Sequence, residues 1–172
     1  MPAELRGNEN QMVAFKTLIF TIFVPGTVAV WIPAILLSSP GARGSMNLDG
    51  FRYIGLSGIL IGASIYLWCA WDFTFAGKGT PAPIDPPKRL VVRGLYNYVR
   101  NPMYVGVLTL ILGQAGWFEC LPVLEYATLA FLLMHAFVML YEEPALARKF
   151  GETYAQYRET VPRWIPRLRT IN

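Results

Sequence analysis

The chain is poor in the residues from which most metal and redox sites are built. It has one histidine, His135, and two cysteines, Cys69 and Cys120. A single imidazole argues against a histidine-based metal centre. The cysteines lack CxxC spacing, and Cys69 lies inside an apolar run, so neither a zinc site nor a disulfide framework is indicated. Charge is scarce too: Asp, Glu, Lys and Arg make up 15% of 172 residues, against about 25% in soluble domains. The net charge of +4 sits beside apolar runs rather than along a polar face. That distribution points to a membrane surface and away from nucleic acid. Gly77 and Gly79 form a Gly-x-Gly, but no strand precedes it and no βαβ unit surrounds it, so a nucleotide-binding loop is not indicated.

What the chain does have is long apolar sequence. Its 54% hydrophobic content and its length fit one domain of the membrane class. Residues 13–37 form the first run, too long for a signal-peptide core and without a small-residue cleavage site after it. Pro25 and Pro33 should kink it. Residues 38–50 are turn formers. The second run covers about 51–75, with Gly55, Gly58 and Gly62 on neighbouring turns, a pattern that lets helices approach closely. Asp72, at its end beside Trp68, Trp71 and Phe73, reads as a solvated helix terminus. A third run, about 103–118, is short enough to need tilting or burial in a bundle. The fourth covers about 121–141. Glu125 within it is either a functional intramembrane carboxylate or one that reaches the headgroups, and His135 reads as a hydrogen-bonded packing residue. Residues 142–172 follow, with Leu146, Phe150, Tyr154 and Tyr157 at helical spacing. The expected fold is all-α: a polytopic membrane helix bundle with about four transmembrane helices and a C-terminal amphipathic helix on the cytoplasmic side.

Between the second and third runs lies a connector unlike a plain turn. Residues 76–87 are rich in proline, and residues 88–106 are basic and aromatic, with Lys88, Arg89, Arg93 and Arg100 beside Tyr96, Tyr98 and Tyr104. This stretch reads as half of a binding site, and Glu142-Glu143-Pro144 at the end of the fourth run as the other half. With four spans, the connector and the C-terminal tail share one side. The connector carries five basic residues against Asp85, and the tail carries six, whereas the opposite loops carry little beyond Arg43 and Arg52. The positive-inside rule places both halves at the cytoplasmic face.

Gly94-Leu95-Tyr96-x-x-x-Arg100-Asn101-Pro102-x-Tyr104-x-Gly106, followed by the glutamate pair and Phe150-Gly151, resembles the isoprenylcysteine carboxyl methyltransferase family. The Asn-Pro-Met-Tyr and Tyr-Glu-Glu-Pro pieces also resemble phosphatidylethanolamine N-methyltransferase. The resemblance covers about residues 80–168 and implies an integral-membrane enzyme that uses S-adenosyl-L-methionine. It places Leu90, Val91, Tyr96, Asn101, Pro102, Met103, Tyr104 and Glu142 on the cofactor, with Glu142 suited to the ammonium group; Arg100 is counted with them, and Glu143 either shares that task or pairs with Arg100 or Arg148. Glu125, His135, Arg163 and Trp164 are assigned to the acceptor side.

Two departures bear on the acceptor. Asn101 stands where the prenylcysteine enzymes have histidine, and asparagine cannot act as a general base. Val138 stands where those enzymes have a substrate-binding arginine, four residues before the first glutamate, leaving Arg163 as an alternative anion contact. The implied reaction is methyl transfer to a lipophilic or membrane-delivered amine, thiol or carboxylate, with the lipid bilayer as partner and no nucleic acid or metal. A membrane NADPH-dependent reductase of the sterol reductase type and a non-catalytic membrane protein are the alternatives.

Overall fold

The computed structural model describes residues 15–73 and 92–167, together with Met12 and Leu90. Among them the chain is all helix and turn, with no strand. The helices are α1 (Phe15–Ser38), α2 (Arg52–Asp72), α3 (Pro102–Trp117), α4 (Leu121–Phe137) and α5 (Glu143–Thr160). Three helices are long and apolar enough to cross a membrane: α1, α2 and the continuous α4–α5 rod. Their outer faces expose large apolar side chains such as Leu60, Trp68, Leu132 and Leu140. Such surface is compatible with lipid and not with water. α3 has 16 residues, about 24 Å of helix against a hydrocarbon core of about 30 Å. It is the most enclosed helix, with Val107, Leu108, Ile111 and Ala115 in the core.

The glycines of α2 do what their spacing suggests. α2 and α3 run antiparallel, with Gly55 facing Gly116 and Trp117, Gly58 facing Gly113, and Gly62 facing Gly106 and Leu110. A Cβ on Gly62 would collide with the backbone of Leu110 and Gly106. Backbones this close allow no side chain larger than hydrogen at the contact.

In α1 the proline kinks take a specific form. The helix breaks at Val24, before Pro25, and widens into a π-helical segment at Thr27–Trp31. Its irregular backbone is answered from neighbouring helices. Gln114 Nε2 donates to the Ala29 carbonyl at 2.8 Å, and Tyr126 Oη donates to the Val28 carbonyl at 2.9 Å. Such compensation is required where no water is at hand.

The fourth span does not end before the amphipathic segment. α4 passes through a π-helical turn, Val138–Glu142, straight into α5. The sequence suggested a separate surface helix. Instead, one rod carries both the apolar run and the glutamate pair, with a break inside α5 at Gly151 (φ 51°, ψ −125°). The apolar face of α5 packs on protein: Tyr154, Tyr157 and Val161 form a buried cluster with Leu90, Leu146 and Phe150.

The close approach of α2 and α3 makes a direct prediction. Gly62→Ala lowers the melting temperature of the purified protein in detergent, on the scale of about 1–3 kcal/mol seen for overpacking. Gly50→Ala, whose Cβ would meet open space, leaves it unchanged. Equal melting of both variants would contradict the contact.

Candidate functional site

The connector and the rod meet at one end of the bundle, and the chain beyond α5 seals the join. Val161–Arg167 runs back along Tyr96–Asn101. Arg100 N donates to the Pro162 carbonyl at 2.8 Å, and Arg167 N donates to the Tyr98 carbonyl at 3.1 Å. Asn101 Nδ2 donates to the Arg163 carbonyl at 3.1 Å, and Tyr157 Oη donates to the Tyr96 carbonyl at 2.8 Å. Pro102, fully buried, starts α3 at its first turn, where its missing N–H costs nothing.

Glu143 is the electrostatic centre of this join. It is buried, and two guanidiniums from different segments meet on it. Arg163 Nε and Nη2 donate to its two oxygens at 2.7 and 2.9 Å, a two-pronged fork. Arg100 Nη1 adds a third contact at 2.9 Å. Burial alone would raise the Glu143 carboxyl pKa, but the Arg163 hydrogen bonds and the charges of Arg100, Arg163 and Arg158 hold it below the usual range. The same hydrogen bonds raise the Arg163 pKa.

Glu142 is treated differently. Tyr104 Oη donates to Glu142 Oε2 at 3.0 Å, and among the described residues no guanidinium or ammonium pairs with it. It faces a cavity of about 110 Å³. Tyr96, Arg100, Asn101, Met103 and Tyr104 line the same space. Apolar walls come from Phe20, Val24 and Val28 of α1 and from Met134 of α4. Among the described residues, Arg100 Nε is a buried donor without a hydrogen-bond acceptor. Burial, the foremost cause, pushes the Tyr96 phenol well above its ordinary pKa, so it stays neutral.

The structure thus brings Tyr96, Arg100, Asn101, Met103, Tyr104 and Glu142 to one cavity. Pro102 and Glu143 stand behind it, as frame rather than lining. Leu90 packs under α5 against the Tyr154–Tyr157 cluster, and Val91 lies outside the described residues. Of the residues assigned to the acceptor, Glu125 is not brought to this cavity: it is exposed near the far end of α4, about 25 Å along the helix from Glu142. Arg163, the alternative anion contact, forks onto Glu143. Trp164 Nε1 donates to His135 Nδ1 at 2.9 Å, and the Trp164 ring meets Tyr104 edge-on at 6.4 Å. His135 is therefore the hydrogen-bonded packing residue its position suggested, part of an aromatic wall behind Tyr104.

Two features had no clear signal in the sequence. The α1 wall is built from ordinary apolar residues that carry no motif. Asp72 reads as a solvated helix end but is buried, with Arg93 Nε 3.3 Å from Oδ1. Gly94, at φ +55°, passes so close that any Cβ would strike the Asp72 carboxylate. Only glycine satisfies both the left-handed backbone and that contact.

Comparison with known proteins fits this geometry. The chain is 34% identical over 115 residues to the cobalt-zinc-cadmium resistance protein CzcN of Cupriavidus metallidurans, a match covering 67% of this chain and 49% of that protein. It is 30% identical over 115 residues to the nickel-cobalt-cadmium resistance protein NccN of Alcaligenes xylosoxydans xylosoxydans, with the same coverage. The chain spans about half the length of these curated relatives. The profile of the phospholipid methyltransferase family matches residues 51–153, from the start of α2 into α5 and across both halves of the cavity. The chain therefore belongs to the phospholipid methyltransferase family.

Proposed function

We propose that the chain is a membrane methyltransferase that uses S-adenosyl-L-methionine at the Glu142 cavity. The observation that carries this reading is the unequal treatment of two adjacent carboxylates. Glu143 is neutralised by two arginines, whereas Glu142 faces the cavity and, among the described residues, has only a phenol as partner. A carboxylate so placed suits a cationic ligand group. Beside it, Arg100 also lines the cavity and brings a guanidinium. An amino-acid moiety, with its ammonium and carboxylate, matches that pair.

S-adenosyl-L-methionine, when bound, supplies a methyl group already activated by a positive sulfur. Little acid–base work is then left to the protein, which must orient the reactants and keep water out. Glu142 holds the ammonium and is itself aimed by Tyr104. Arg100 and Asn101 offer donors to the carboxylate. Tyr96 and Met103 give flat and soft apolar contact. The Tyr104–Trp164–Phe131 wall excludes water on the α4 side.

The acceptor meets an apolar surface. Phe20, Val24 and Val28 line the cavity from a helix whose other faces look outward, and Val24 itself is exposed. A lipophilic acceptor reaching the cavity from the bilayer past α1 fits this wall. The relatives' names speak of resistance to metals. Among the described residues of this chain, no group of three or more His, Cys, Asp or Glu side chains is placed to hold a metal ion. The apolar wall is the feature a substrate would meet. The basic connector and tail support a cytoplasmic position for the cavity, and α3 would complete four spans by packing inside the bundle.

The two glutamates should separate by experiment. Glu142→Gln weakens saturable S-adenosyl-L-methionine binding, measured by titration calorimetry, by about 10- to 100-fold, the scale of a charge-assisted hydrogen bond, while the melting temperature barely moves. Unchanged affinity, or binding of NADPH in its place, would remove the methyltransferase reading.

Glu143→Gln has the opposite signature. It lowers stability by about 2 kcal/mol, less than a fully buried pair because Arg163 is partly solvated. The sign with pH follows from the lowered pKa of Glu143. Its stabilisation is fully present above the unfolded carboxylate pKa of about 4.3 and is lost as pH falls through the lower folded value. Melting curves from pH 7 down to about pH 3 should show that acid loss in the wild type and a smaller one in Glu143→Gln.

A further inference from the structure

At the end of the bundle away from Glu142, two guanidiniums converge that the proposed chemistry does not use. Arg43 lies in the turn between α1 and α2, and Arg52 opens α2. In the turns on their side they are the basic residues, beside the acidic Asp49 and Glu119. Each lies over an aromatic ring from the end of α3: Arg43 Cζ is 5.2 Å from the Phe118 ring centre, and Arg52 Cζ is 5.1 Å from that of Trp117. Cation–π contact at this range holds a guanidinium flat and leaves its N–H edge open. Arg43 Nε donates to the Leu37 carbonyl at 3.1 Å, which fixes the fork further. Among the described residues, neither arginine has a carboxylate partner within ion-pair distance.

The platform beneath them is tied down. Gly44 N donates to the Phe118 carbonyl at 3.1 Å, and Met46 N donates to the Glu119 carbonyl at 2.9 Å. Ser45 Oγ donates to the Glu119 carbonyl at 3.3 Å and accepts from Leu121 N at 2.9 Å. The α1–α2 and α3–α4 turns are thereby zipped together. Both arginines, Trp117, Phe118 and Glu119 line one open cavity of about 420 Å³. α2, with 21 residues, separates this cavity from the Glu142 end by about 30 Å, the thickness of a bilayer core.

We propose that this cavity binds a phosphate anion, that of a phospholipid headgroup in the leaflet opposite the Glu142 cavity. Two guanidiniums lining one cavity match the unesterified oxygens of a phosphodiester. Glu119 lines the same cavity and repels a second negative charge, which favours a singly charged diester over free phosphate. The aromatic rings sit at the depth where a bilayer gives way to headgroups. The site is independent of the proposed methyl transfer.

The test uses the full chain in detergent and native mass spectrometry, with phosphatidylglycerol, diacylglycerol and inorganic phosphate as separate probes. The wild type should retain one saturable phosphatidylglycerol adduct. The Arg43→Gln/Arg52→Gln pair should weaken it by about tenfold or more, whereas Arg148→Gln, a charge change at the other end, should leave it intact. Equal retention by the glutamine pair overturns the site. Equal retention of diacylglycerol overturns the role of phosphate, and inorganic phosphate binding as tightly as the lipid overturns the headgroup assignment. If the glutamine pair does not fold, Arg43→Lys/Arg52→Lys decides. It keeps both charges but loses the planar fork, and adduct affinity equal to the wild type overturns the proposal.

Discussion

A carboxylate taken out of water must be matched by positive charge, and Glu143 is the place where this chain meets that demand. Its partners arrive from opposite directions in sequence, Arg100 from the connector and Arg163 from the segment beyond α5. Because neither guanidinium can leave without stranding a buried charge, the pair fixes three pieces of chain at once. α3 begins just after Arg100, the rod passes through Glu143, and Val161–Arg167 closes over the connector. The cavity exists because these three are held in register, and Glu142 faces it because Glu143, one residue on, is fully engaged elsewhere.

The same constraint explains why the carboxylates differ in character while being neighbours. On a helix, successive side chains point about 100° apart. Glu143 turns toward the tail and Glu142 toward α3, where Tyr104 meets it. The π-helical turn at Val138–Glu142 sets this orientation. Such insertions recur where function needs a side chain re-aimed. A regular helix through the same residues would present the pair differently.

How much of this could be read from the sequence depends on whether the information was local. The glycine ladder of α2 announced its packing, because spacing on one helix is a local property. Glu142, Arg100, Asn101 and Tyr104 were recognisable because they sit in short motifs. Contacts made by residues without distinctive chemistry were not. Phe20, Val24 and Val28 look like any span, and only folding reveals that they wall a cavity. Asp72 misled because its neighbours are interfacial aromatics, and its partner Arg93 lies across the connector. Glu125 was ambiguous for the opposite reason. A lone carboxylate in an apolar run looks functional until its helix is oriented. The tail was undervalued as well, since nothing near Arg163 in sequence shows that a glutamate at the start of α5, 20 residues earlier, will claim it.

One feature reaches beyond the cavity itself. α4 and α5 are a single rod without a hinge between the apolar run and Glu143. Whatever tips the outer part of that rod, such as lipid crowding, surface charge or a neighbouring protein leaning on α5, swings the two acidic side chains with it. The rod's break comes later, as a kink at Gly151. The portion past that kink is itself held on protein through Tyr154 and Tyr157, so the rod and the tail together act as one stiff lever on the cavity.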